Sequence, residues 1–146
     1  MKKILFSTLI AVSIFTSGFA AGTEKKFLMA ERSLQSEFKN AGKVEWSNKQ
    51  GMMKATFLNN GKPTEAYFGT DAQLIATCTL VNLDEVPTKA KIKLAQKFAG
   101  YKITEAIIYE DADGQAFYVS AENNTQKVII KSKDGFTSVF QKSIKK

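Results

Sequence analysis

Six short clusters of turn-forming residues cut most of the chain into pieces too short for helices: KQGM (49–52), NNGK (59–62), GTDA (69–72), DADG (111–114), ENNT (122–125) and SKDG (132–135). Asn-Gly and Asp-Gly pairs supply the positive φ values that tight hairpin turns need. Between them lie VEW (44–46), MKATFL (53–58), AYF (66–68), LIATCTL (74–80), ITEAIIYE (103–110), AFYVSA (116–121), KVIIK (127–131) and FTSVF (136–140). These pieces are apolar, β-branched or aromatic, and they read as strands. Pro63 lies just beyond Asn60-Gly61, which suits the start or edge of a strand.

Two stretches carry a helical period instead. In residues 27–41, Phe27, Ala30, Leu34, Phe38 and Ala41 recur at three- and four-residue spacing, and Gly42 can close the helix in the left-handed region. After Pro87, where a helix can begin, Ala90, Leu94 and Phe98 share a face and Gly100 follows. Leu34 and Phe38 match Leu94 and Phe98, Ala41-Gly42 matches Ala99-Gly100, Val44 matches Ile103 and Leu74 matches Phe136, at an offset drifting from about 58 to 62 residues. The expected fold is α+β: two tandem copies of one helix plus a four-stranded antiparallel β-meander, with the helices on one face of the sheet. The expected divisions are a leader (1–20), a first copy (21–80), a linker from Val81 to Val86, and a second copy (87–146).

The leader assignment rests on Lys2-Lys3, the apolar run from Ile4 to Phe15, and the small residues Gly18 and Ala20 flanking Phe19. That is the pattern of a secretory signal peptide cleaved after Ala20. A membrane anchor is the alternative, but the run is short for a span. No cysteine stands directly after the cleavage point, so a lipid anchor is not expected, and the mature protein is expected to be periplasmic or secreted with no stable membrane anchor. From Ala21 onward the chain holds 19 basic and 14 acidic residues, a formal charge of +5. Arg32 is its one arginine, and lysine is the poorer choice for bidentate phosphate or base recognition, so no nucleic-acid partner is expected. Cys78 is alone, which precludes an internal disulfide, and reads as a small apolar residue rather than a nucleophile. The chain contains no histidine. That excludes Ser-His and Cys-His pairs, histidine bases and most zinc or copper sites.

Beyond these patterns the chain resembles the PepSY-like, beta-lactamase-inhibitor-like domains of exported bacterial proteins. The resemblance is carried by Val44-Glu45-Trp46, Phe57 and Tyr67-Phe68. In the second half it is carried by Val86-Pro87 leading into Ile92 and Phe98, by Gly100-Tyr101-Lys102-Ile103, and by Asp134-Gly135-Phe136. It covers roughly residues 27–140, and Gln73 departs from the glycine usual ahead of Leu74. The resemblance implies a tandem α/β fold, export and action by binding. It brings no particular target with it.

Strand pairing sorts the residues into faces. With Asp113-Gly114, Asn123-Asn124 and Asp134-Gly135 as two-residue turns, Tyr109 faces Tyr118, Tyr118 faces Ile129, and Ile129 faces Phe140. Ile108, Phe117, Val119, Val128, Ile130 and Val139 fall on the other side, under the helix. Ile107, Ser120, Lys127 and Lys131 flank the aromatic row. In the first half Val44, Trp46, Ala55, Phe57 and Phe68 collect on the core side, and Glu45, Lys54, Thr56, Glu65 and Tyr67 on the open side. An aromatic row rimmed by lysine is the composition of a protein-binding patch, and Tyr109, Tyr118, Ile129, Phe140, Lys127 and Lys131 are the candidate partner-binding residues. The same row could instead pack on the other copy, on the linker or in a homodimer, and the binding reading requires it to be reachable. Trp46 reads as core, because it shares a side with Val44 and Phe57.

The carboxylates of EDADG (110–114) fit a hairpin better than a cation loop, since no third alternating carboxylate precedes Gly114 and no acid closes the loop. Neither a metal site, a catalytic residue nor a cofactor is expected. The reading is a non-enzymatic, inhibitor-like binding module for a protein or peptide partner in the cell envelope. The alternatives are a basic module adhering to anionic envelope surfaces, or a hydrolase with two carboxylates facing one pocket.

Overall fold

The computed structural model describes residues 23–49 and 51–145. The expected leader lies outside the described residues. The elements are α1 (Thr23–Glu37), β1 (Glu45–Lys49), β2 (Met52–Asn59), β3 (Lys62–Phe68), β4 (Leu74–Leu80), a 3-10 turn (Leu83–Glu85), α2 (Thr88–Lys97), β5 (Lys102–Asp111), β6 (Gly114–Glu122), β7 (Gln126–Lys133) and β8 (Phe136–Ile144). The eight strands form one antiparallel sheet in which neighbours in sequence are neighbours in space.

The turns follow their residue chemistry. Asn60 (φ 50) and Gly61 (φ 79) join β2 to β3, and Asp134 (φ 52) and Gly135 (φ 78) join β7 to β8. Both are two-residue hairpins with positive φ at both central positions. The β5–β6 turn differs from the expectation. Asp111 and Gly114 are the closing pair, so Ala112-Asp113 is the turn. The Asp113 N–H donates to Asp111 Oδ1 at 2.9 Å, and Gly114 takes φ 104. The aspartate side chain thus stands in for a backbone acceptor, which resolves EDADG as a hairpin device. This moves the β5–β6 register by two residues, placing Ile107 opposite Tyr118 and Ile108 opposite Phe117. The β6–β7 register moves by two as well, because the connection between Glu122 and Lys127 spans four residues rather than two; Tyr118 therefore faces Lys131. In β7–β8, Ile130 faces Val139 as expected, but a bulge pairs Ile129 with Gln141 instead of Phe140.

The end of α1 also departs from the sequence reading. The helix stops at Glu37, with the Phe38 N–H still bonded to the Leu34 carbonyl at 2.8 Å. Gly42 is not in the left-handed region. Its N–H donates to the Leu58 carbonyl at 2.9 Å, and Ala41 bridges Asn59. The chain leaving α1 therefore satisfies its amides on β2, and a left-handed cap is not required. After α2, Gly100 does take φ 84.

Under α1, Ala30 and Leu34 pack with Ala55, Phe57, Ala66 and Phe68. Trp46 joins them, its ring 5.5 Å from Phe68 and 5.2 Å from Phe27. Under α2, Ala90 and Leu94 pack with Val119, Val128 and Ile130, and Val81 and Val86 from either end of the 3-10 turn belong to the same cluster. The ladder carries Ala66 through Thr77 to Glu110, which shares a side with Ile108, so the two clusters lie on one side of the sheet. Burying a Leu or Phe side chain contributes about 1.5–3 kcal/mol, so these clusters supply the main drive for folding in a chain without a disulfide. A third cluster, Cys78, Ile107, Ala116, Tyr118 and Ile129, lies on the opposite side with Tyr67, Leu80 and Tyr109 against it.

Candidate binding face

The third cluster brings together Tyr109, Tyr118 and Ile129 of the proposed partner-binding residues, Phe140 and Lys131 reach it through the Tyr118 ring, and Lys127 lies on the same side beside Glu105. The Tyr118 ring meets Tyr109 edge-on at 6.1 Å and Phe140 at 5.1 Å, with Lys131 Nζ 5.5 Å from its centroid. Tyr118 and Ile129 are only 7% and 8% exposed, whereas Phe140 is 44% exposed. Tyr109, Lys127 and Lys131 are half-buried. The row is therefore graded. Tyr118 and Ile129 form its floor, and Phe140, Tyr109 and the lysines form the part that a partner could touch. Ile107 and Ser120 are also buried. Burial, together with the nearby Asp111 carboxylate, pushes the Tyr109 hydroxyl well above the usual phenol range.

On the β2–β3 half of this face lies a polar network that the residue pattern did not reveal as one. Lys54 Nζ contacts Glu65 Oε1 at 2.7 Å, and the Tyr67 hydroxyl donates to Glu65 Oε2 at 2.6 Å. Glu65 is buried at 7% exposure. Lys54 and Tyr67 are directly cross-strand, a pairing that follows once Asn60-Gly61 is taken as the turn; that was the available signal. Burial first, and then the bond to Glu65, raises the Tyr67 hydroxyl strongly. Cys78, paired with Glu65 across the ladder, has its thiol pushed up to about 12, chiefly by burial and further by the Glu65 charge. A thiol held so far from ionisation is not a nucleophile at neutral pH. Burial also raises the Glu105 carboxyl, with Lys127 opposing.

Carboxylates do share one cleft. An open cleft of about 800 Å³ beside the β3–β4 and β5–β6 turns is lined by Glu37, Asp71, Glu110 and Asp111. Glu110 is exposed here. Asp71 Oδ1 accepts from the Gln73 N–H and Asp111 Oδ1 from the Asp113 N–H, so both of these carboxylates hold turns together. Among the described residues there is no group of three or more Cys, Asp or Glu placed to hold a metal ion. No helix among them is long and apolar enough to cross a membrane.

The fold of two helices and one eight-stranded antiparallel sheet is similar to that of several solved structures. A BLIP-like protein from Bacteroides fragilis matches with a TM-score of 0.69 at 18% identity, covering 80% of this chain and 84% of that one. A DUF2874 family protein from Bacteroides uniformis matches at 0.71 and 21%, with 80% and 87% covered. A candidate periplasmic protein from Bacteroides eggerthii matches at 0.71 and 20%, with 80% and 86% covered. At these identities the likeness is one of fold. No protein-family model matches the chain, and no curated protein matches it.

Proposed function

We propose that this is an exported, non-enzymatic binding module of the PepSY-like, beta-lactamase-inhibitor-like kind, built from two copies of a helix-plus-four-strand unit, which holds a protein or peptide partner on the sheet face opposite its helices. The observation that carries the reading is the graded aromatic cluster on that face, with a buried floor of Tyr118 and Ile129 and a rim of Phe140, Tyr109, Lys127 and Lys131. Anchors set in a packed floor with a polar rim are how interface hot spots are built. The two-copy reading is supported by equivalent helix exits: Phe98 bonds to the Leu94 carbonyl at 2.8 Å as Phe38 does to Leu34, and Tyr101 bonds to Phe98 at 3.0 Å as Ala41 does to Phe38. Three of the sequence matches do not fit it: Ala41 takes the place of Tyr101 rather than Ala99, Val44 packs against the α1 cluster while Ile103 is exposed, and Leu74 packs against the same cluster while Phe136 is 82% exposed.

The test uses protein starting at Ala21, cross-linked within an envelope fraction, followed by titration of the purified captured partner. Tyr109→Ala/Phe140→Ala serves as the comparison, because it removes the rim and spares the floor. A partner whose affinity falls at least tenfold in a folded double variant supports the face. A partner held equally by both proteins would refute it.

A further inference from the structure

The charges of this protein are unevenly placed. Helix α2 and residues 126–145 together hold nine lysines and one acid, Asp134, for a formal charge of +8. The rest of residues 23–145 holds nine basic and thirteen acidic residues, for −4. The basic region borders β8, the last strand of the sheet. At the other edge β1 has five residues, whereas β8 has nine. Phe136 (82%), Val139 (44%) and Ile144 (79%) are exposed on β8. A long edge with apolar side chains presents a row of N–H and C=O groups on which another strand can form.

The direction of those groups follows from the turn. Lys133 and Phe136 close a two-residue hairpin and so bond to each other. Thr137 and Val139 then point their backbone groups away from β7. Lys93 of α2 bonds the Thr137 carbonyl, as that direction requires.

We propose that the β8 edge binds an extended, acidic segment of another protein as a ninth strand. Beyond Thr137, whose carbonyl Lys93 already holds, main-chain pairing along Val139–Ile144 would supply the affinity, and the surrounding lysines the preference for carboxylates. Pairing β8 with the β8 of a second copy would bring two basic regions together, and an anionic bilayer would leave the outward backbone groups unpaired. The inference goes beyond the open-face reading and does not rest on it, since it uses the backbone edge.

The test is fluorescence polarisation of a short labelled peptide alternating glutamate with valine, against protein starting at Ala21. Its lysine-for-glutamate counterpart and phosphatidylglycerol vesicles run in parallel. The expected result is binding of the acidic peptide alone, weakening steeply with salt. Val139→Pro removes an outward N–H at an edge position where proline is tolerated, and should weaken binding by up to about tenfold, the loss of one main-chain hydrogen bond. Lys142→Glu, which leaves the backbone intact, should weaken it comparably; it decides the matter if Val139→Pro does not fold. Tyr109→Ala should leave peptide binding unchanged even where it abolishes the open-face partner. The proposal is overturned if the acidic peptide does not bind, if it binds folded Val139→Pro and Lys142→Glu as tightly as wild type, if vesicles bind in its stead, or if the edge is found closed by self-association.

Discussion

Removing Lys54 is the most informative perturbation of the polar network. Lys54→Met leaves the Glu65 carboxylate in place with its cation gone. Breaking a fully buried ion pair from one side costs about 3–5 kcal/mol. Here the side chains of Lys54 and Glu65 are 21% and 10% exposed, so water recovers part of that loss. The Tyr67 hydroxyl still donates to the other oxygen at 2.6 Å. The expected cost is therefore about 2 kcal/mol, or a fall of about 6–10 °C in Tm for a domain of this size. Glu65→Gln keeps the shape and frees a half-buried lysine to reach water, and should cost about 1 kcal/mol. Lys54→Met/Glu65→Leu removes both charges and should lie within about 1 kcal/mol of wild type. Urea titration followed by fluorescence measures all four proteins, because Trp46 is the sole tryptophan and sits 5.5 Å from Phe68 in the α1 cluster. The network argument fails if Lys54→Met costs less than Glu65→Gln, or if the double variant is as unstable as the sum of its parts.

Cys78 should resist a thiol reagent at pH 8 in the native state and react at once in urea, because its thiol is pushed up to about 12. Its unfolded value is about 8.5, so its contribution to stability is whole below about pH 8.5 and is lost as pH rises towards about 12. Cys78→Ala should flatten that part of an alkaline stability profile, and an unchanged slope would show that the thiol is not held neutral. Leu94→Ala, at a site 4% exposed, should cost about 2–4 kcal/mol in a urea titration, while Ile92→Ala, 49% exposed on the same helix, should stay within about 0.5 kcal/mol. Gly61→Ala should cost about 1 kcal/mol because Gly61 holds φ 79, whereas Gly42→Ala should be near neutral, with open backbone geometry and nothing closer to the added carbon than 3.7 Å. Equal costs for the two glycines would contradict the corrected exit of α1.

The faces of the sheet were legible in the sequence even where the pairing was not. Side chains alternate with a period of two, so a slip of two residues changes every cross-strand neighbour and no residue's side. That is why Tyr109, Tyr118 and Ile129 stayed with one another although Ile107 replaced Tyr109 opposite Tyr118. The slip arose in the turns. DADG can place its hairpin at Asp113-Gly114 or one residue earlier, and the Asp111 side chain, by capping the Asp113 amide, selects the earlier one. In SKDG the same Asp-Gly pair forms the two-residue turn itself. Hydrogen bonds made by turn side chains, rather than the identity of the turn pair, decide between these. The Gly42 expectation failed for a comparable reason: a glycine after a helix can cap it, but here a tertiary partner, the Leu58 carbonyl, was within reach of the amide.

What alternation does not reveal is how residues on one face cover one another. Tyr118 and Phe140 share a side and sit 5.1 Å apart, yet one is buried and the other is not. The difference lies in their positions across the sheet. Tyr118 is on β6, flanked on both sides, with Lys131 drawn over its ring by the attraction between an ammonium and a π-face. Phe140 is on the edge strand, at a bulge that withdraws it from regular pairing with Ile129. Strand order therefore divides the row into scaffold and contact surface. Substituting Tyr118 tests how the face is held together, while substituting Phe140 tests what the face touches. The same reasoning explains why the first half of the face, polar in sequence, is not simply a solvated surface. Glu65 is on β3, an interior strand, where a carboxylate can be buried only with partners, and its neighbours Lys54 and Tyr67 are both of the types that can serve.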